Sequence, residues 1–367
     1  MFGIIYNLNN NKLVWNLMKN SFRHAHVYRE ISPWMSNREL AKDLIKHILF
    51  YENGLLVINK PYGVTFSRDG SYKPPKPEEK LKKMINHQEL ESPIIKETYE
   101  STGIVNDDLS LLKALPYIQE ELGVDKLFIV KVPERYTSGI AILATEKSVE
   151  EKVQLSILKS RYSKESVDTF QAVVIGKPRY NGGKIKLGLT LDVMKGSKQK
   201  KPILLREWSN NAVKRGEVLL TTFSYQLLRE SEDSRMTLVE IRCDRKKWHC
   251  VRLFCSNFLL TPVLGDNLYG GRVKNVMGVT LPVNHWSKVS EEPQKLSSEV
   301  LSILEVTKED LKIIPTHLHL SKVILPHYDK KGLNLELVAT PPDFFTWTCQ
   351  KSSLVDPGLQ YIQKNVN

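Results

Sequence analysis

Val132-Pro133-Glu134-Arg135-Tyr136-Thr137-Ser138-Gly139 sets a carboxylate beside a guanidinium, immediately before the apolar run Ile140 to Ala144. That order puts an acid on a polar loop where a buried strand begins, and loops held by a rigid scaffold are where function is often carried. A solvated charged turn is the plainer reading of the same residues. Two further segments collect reactive side chains. The first is His249-Cys250-Val251-Arg252-Leu253-Phe254, followed by Gly265-Asp266-Asn267-Leu268-Tyr269-Gly270; the second runs from His317 and His319 to His327. His317 and His319 invite a metal reading, since residues i and i+2 of a strand share a face. No third ligand with cysteine or carboxylate spacing lies nearby, so no metal is expected.

The elements that carry these residues read as follows. Ile48 to Pro61 is two apolar strands around Asn53-Gly54, a hairpin signal. Residues 68 to 108, rich in Lys, Pro, Glu and Ser, predict a long loop or insertion. A helix is expected from Ser110 to Leu122, capped by Gly123. Another is expected from Ser148, which has capping-box spacing to Glu151, with Val149, Val153 and Ile157 on one face. Strands are predicted at Thr169 to Gly176, Thr221 to Leu228 and Thr237 to Cys243. Strands outnumber helices and do not alternate strictly with them, which argues for an α+β fold with a largely antiparallel sheet.

The chain of 367 residues has 53 Lys plus Arg against 41 Asp plus Glu, a net charge of +12. Such an excess attracts polyanions, of which nucleic acid is the commonest in a cell. A basic surface kept for solubility is the alternative. No apolar run approaches the ~20 residues of a membrane span. Four cysteines without a C-x-x-C pair argue against a disulfide scaffold or a structural zinc site. Residues 1 to 29 carry Lys12, Lys19, Arg23 and Arg29 and no acid, as mitochondrial presequences do. The run Lys195, Lys198, Lys200, Lys201 flanks a Gly-Ser turn and reads either as a phosphate-contacting loop or as a plain solvated one.

The segments, taken in order, resemble the RluA family of RNA pseudouridine synthases. The family's opening is similar to Leu56-Val57-Ile58-Asn59-Lys60-Pro61-Tyr62-Gly63. Its R-L-D-R-x-T-S-G loop corresponds to Val132 to Gly139, and its T-G-R-x-H-Q-I-R and G-D-x-x-Y-G blocks to Arg245 to Arg252 and Gly265 to Gly270. Leu337 to Phe345 looks like its final strand, and Ile314 to Leu320 looks like the family's mitochondrial branch. The resemblance implies a pseudouridine synthase fold over residues 41–350, a long mixed and mostly antiparallel central sheet with flanking helices and an active-site cleft. Residues 1–40 would be presequence and extension, and 351–367 a tail. It implies RNA as partner, no cofactor, no metal, and a place in the mitochondrial matrix.

By the same resemblance Glu134 takes the place of the nucleophilic aspartate, Arg252 that of its basic partner, and Phe170 that of the tyrosine that stacks on the flipped uracil. Arg135, Lys131, Lys198, Lys200, Lys201, Lys247 and His249 are the expected RNA contacts. The departures are specific: Val132 replaces the arginine that helps extrude the base, Asp168-Thr169-Phe170 replaces K-x-Y, and Cys250 replaces a glutamine. Glutamate keeps the charge and adds a methylene, so reduced activity is expected, with Glu134→Asp raising it. Without the arginine, base extrusion, which costs a few kcal/mol, loses a helper. Two functions follow: a pseudouridine synthase acting through Glu134, or a non-catalytic RNA-binding factor of the same fold.

Overall fold

The computed structural model describes residues 26–66, 103–163, 167–194, 196, 199–233, 235–245, 247–328 and 332–355. It opens with α1 (Asn37–Lys46) and the hairpin of β1 (Ile48–Glu52) and β2 (Leu55–Lys60). Asn53 and Gly54 turn the hairpin at φ 50° and 76°, the two positive values that suit the twist of the flanking strands. α2 (Leu111–Leu122) begins where Ser110 Oγ accepts from Lys113 N and ends on Gly123 at φ 64°. β3 (Phe128–Lys131), β4 (Ser138–Ala144) and α3 (Lys147–Ser163) come next. The capping box expected at Ser148 does not form. α3 already includes Lys147, and Ser148 Oγ donates to Glu146 Oε2 instead.

The sheet is then extended by β5 (Asp168–Ile175), β6 (Gly182–Val193) and β7 (Lys200–Leu205) and, after the short α4 (Asn210–Lys214), by β8 (Leu219–Glu230) and β9 (Met236–Cys243). The chain continues through α5 (Cys250–Asn257), a separate ribbon of β10 (Val273–Val276) and β11 (Val279–Pro282), and α6 (Ser298–Ile303). It closes with β12 (Leu318–Leu325), β13 (Leu335–Val338) and α7 (Asp343–Lys351). Eleven strands form one sheet in the order β1-β2-β4-β12-β5-β9-β8-β6-β7, with β3 paired to β4 and β13 to β12. Every pairing along it is antiparallel except β4 with β12. The mixed, mainly antiparallel α+β architecture is the one expected.

The apolar runs of β2 and β4 are continuous because both faces of the sheet are covered there. Leu56, Ile58, Ala141 and Leu143 face α1 and α2, whereas Leu55, Val57, Ile140 and Ile142 join the main core with Val153 of α3 and Leu253 and Phe254 of α5. A third cluster takes in residues that precede position 40. Tyr28 is fully buried against Phe344 and Phe345 of α7, its hydroxyl 2.7 Å from Thr348 Oγ1, and Trp34 and Leu40 are buried as well. The fold therefore includes the chain from His26, because these side chains close an apolar cluster. At the other end Leu354, expected in the tail, is also buried. The expected presequence before residue 26 and the expected loop as far as residue 102 lie outside the described residues.

Candidate active site

The acid-bearing loop enters the sheet at the parallel seam of β4 and β12. Ser138 and Gly139 pair with His319 and Leu320, and Gly139 sits at φ +117°, where an added Cβ would lie 2.2 Å from Leu320 O. The Thr-Ser-Gly of the motif is thus a packing requirement: only glycine permits so close an approach at that backbone angle. Ser138 adds a side-chain link, with its Oγ 2.9 Å from His319 Nδ1. His319 Nε2 donates to Ala339 O, so Nδ1 accepts the serine proton. His317 is held by Pro315 O and Thr348 Oγ1. Burial pulls the two histidines down to pKa values of about 3 for His317 and about 4 for His319, so both are neutral pins of the core. Among the described residues no three metal-ligating side chains come together.

Arg135 braces the loop from below. Its Nε donates to Gly63 O at 3.2 Å, its backbone carbonyl accepts from Gly63 N at 3.0 Å, and its guanidinium pairs with Asp107. Lys60 is wholly buried nearby, with Nζ on Pro61 O and Val64 O. Burial, then repulsion from Arg135, lowers its pKa to about 7, while the charge of Glu134 works the other way.

Glu134 projects toward the start of α5. His249 Nδ1 lies 2.5 Å from Glu134 Oε2, and His249 is the N-cap residue of that helix. Trp248 and His249 are both left-handed, at φ 56° and 54°, a costly conformation for side chains of this size. Tyr269 supports the turn by donating its hydroxyl to Trp248 O. The N-terminus of a helix carries a partial positive charge, which attracts an acidic side chain placed there.

Arg252, in the first turn of α5, is buried, and its main partner is Asp266. Nη2 meets Oδ1 at 2.5 Å and Nε meets Oδ2 at 3.1 Å. Asp266 Oδ1 also accepts from Leu268 N and Tyr269 N, and the Arg252 guanidinium lies 5.7 Å from the centre of the Tyr269 ring. Burial by itself would lower the pKa of Arg252, but the charge and hydrogen bonds of Asp266 outweigh it and raise it, with a smaller contribution from Glu134. Expected opposite Glu134, Arg252 is thus gripped by Asp266 and senses Glu134 through its charge. In the sequence Asp266 has no assigned role, and its one signal there is its place in the Gly265 to Gly270 block downstream of the arginine.

Glu134, Phe170 and Arg252 line one pocket with Pro133, Thr137, His249, Cys250, Val251 and Leu318. Phe170 of β5 presents its ring there from the pairing with Leu320 of β12. Cys250, in the glutamine position, touches Cys243; that contact first, and burial next, push its thiol pKa well up, so it lines the wall as a protonated thiol. The free volume is about 20 Å³, enough for one water but not for a base.

The other expected RNA contacts are scattered in role. Lys131, at 7% side-chain exposure, is paired at 2.5 Å with Asp168, at 5%, so its ammonium is not presented to a phosphate. Lys201 is also engaged, with Glu291 Oε1 at 2.6 Å and His285 O at 2.8 Å. Lys247 lies over the Trp248 ring beside the pocket, and Lys200 is exposed on β7. Lys198 falls outside the described residues. Val132, the position of the extruding arginine, packs against the cluster beneath α1 and α2.

No family model matches the chain. Over 253 residues it is 24% identical to the mouse mitochondrial mRNA pseudouridine synthase Rpusd3, covering 66% of this chain and 69% of that one. Over 336 residues it is 25% identical to the mouse mitochondrial pseudouridylate synthase RPUSD4, covering 89% and 74%. The solved structure of human RNA pseudouridylate synthase domain containing 4 superposes with a TM-score of 0.58 at 22% identity, over 86% of this chain and 97% of that one, a likeness of fold.

Proposed function

We propose that this relative of the mitochondrial pseudouridine synthases isomerises uridine to pseudouridine in RNA of the mitochondrial matrix, with Glu134 as the reacting carboxylate. The observation that carries the reading is the convergence of Glu134, Phe170 and Arg252, far apart in sequence, on one pocket. The reaction breaks the C1'–N1 bond, turns the uracil and joins C1' to C5; the C5 proton leaves, N1 gains one, and no cofactor is required. Glu134, in contact with His249 Nδ1 at the start of α5, supplies the carboxylate that acts on sugar or base. Phe170 offers a face on which the turning uracil stacks. Arg252, neutralised in part by Asp266, stabilises negative charge behind it. Lys200, Lys247 and the +12 net charge supply phosphate attraction, a sequence-independent term.

The narrowness of the pocket favours a second reading, in which the protein binds RNA and does not modify it. Pseudouridine mapping of mitochondrial RNA separates the two. A site that disappears without the protein and returns with wild type but not with Glu134→Gln supports catalysis. Full rescue by Glu134→Gln supports the binding role.

A further inference from the structure

The position at which a lysine is expected two residues before Phe170 holds Asp168, and the missing cation is found on another strand. Lys131 Nζ lies 2.5 Å from Asp168 Oδ1, with both side chains more than nine-tenths buried. Lys131 ends β3, three residues before Glu134, and Asp168 begins β5, two residues before Phe170 and on the same face. These strands are not neighbours in the sheet: β3 pairs with β4, β4 with β12, and β12 with β5. The β3·β4 register slips by one residue between Ile129 and Lys131, a bulge of the kind that re-aims a side chain beside a site.

We propose that the Lys131–Asp168 pair is the positioning device of the candidate site, a buried clamp that sets the Glu134 loop at working distance from the stacking ring of Phe170. Lys131 and Asp168 are positioning residues and touch no substrate. The inference rests on the proposed function, since it assigns the clamp to that site. Burying two charges is costly, and an apolar pair of similar volume would hold the strands together as well, so stability alone does not account for it. An ion pair adds one fixed distance and direction. Misplacement of a reacting group by about 1 Å costs on the order of 100-fold in rate.

The test is the apolar double variant Lys131→Met/Asp168→Leu in the full-length protein. We expect it to melt no earlier than wild type and bind RNA with unchanged Kd. Its kcat should fall by about 100-fold, and the ¹⁵N resonance of His249 Nδ1 should lose the signature of its bond to Glu134. A double variant with wild-type kcat and an unaltered His249 resonance overturns the clamp. If wild type makes no pseudouridine, the proposed function fails, and the His249 resonance still decides this inference. If the apolar variant does not fold, the charge-exchanged variant Lys131→Asp/Asp168→Lys takes its place. Recovery of the wild-type His249 resonance supports the clamp, and its loss in a folded exchange variant refutes it.

Discussion

His249 Nδ1 stands 2.5 Å from Glu134 Oε2, which ties the left-handed turn before α5 to the loop before β4. The additional methylene of glutamate is what spans this gap. An aspartate at the same Cα would retract the carboxylate by about 1.5 Å, one carbon–carbon bond. The longer acid and the histidine are therefore matched, whereas the family resemblance by itself presents the glutamate as a departure.

Glu134→Asp should for this reason lower pseudouridine formation by about tenfold or more, about 1.4 kcal/mol of lost transition-state stabilisation. This reverses the expectation drawn from the sequence. Single-turnover assays on one RNA decide it, and a gain in rate would mean that the His249 contact is unproductive.

Asp266→Asn should destabilise the protein by about 3–5 kcal/mol, because it leaves the guanidinium of Arg252 buried without its counter-charge. Replacing both, as Arg252→Met/Asp266→Asn, keeps an acceptor for Leu268 N and Tyr269 N and removes the uncompensated charge, and should restore most of the stability and none of the activity. Urea unfolding followed by circular dichroism measures the first effect, and the RNA assay the second.

Gly139→Ala should cost about 3 kcal/mol or more, or prevent folding, since the methyl group would stand 2.2 Å from Leu320 O at φ +117°. The parallel seam of β4 and β12 has no room to yield without moving Ser138 and the loop above it. A soluble Gly139→Ala protein with an unchanged urea midpoint would contradict this.

Stability should fall as the pH drops below 6.5. His317 and His319 are held neutral in the fold, at about 3 and about 4, against 6.5 for a free histidine. In that window the unfolded chain binds protons that the folded chain does not, so stability rises with pH and is lost on acidification. Each group contributes up to about 1.4 kcal/mol per pH unit. Urea midpoints measured between pH 7 and 5.5 should show the slope, and His319→Gln, which keeps a donor and an acceptor in place, should flatten it. An identical slope in that variant would assign the dependence to other groups.

The elements that sequence determined are those set by local chemistry. Asn53-Gly54 dictates a tight hairpin, Ser110 and Gly123 cap a helix, and the alternation in β9 fixes which side chains share a face; each depends on a few adjacent residues. The family resemblance carried by the order of the reactive segments pointed to Glu134, Phe170 and Arg252, which the fold brings to one pocket. What tertiary structure decided is which charge meets which. Lys131 reads in sequence as a free cation beside the loop, yet the bulge in β3 turns it inward to Asp168, 37 positions away in the chain. Arg252 reads as the partner of Glu134, yet its guanidinium is hydrogen-bonded to Asp266, and His249 Nδ1 meets the acid. Such pairings rest on distances between strands and turns that are remote in sequence. A buried charge accepts whichever counter-charge the packed sheet brings within reach, and no local spacing encodes that choice.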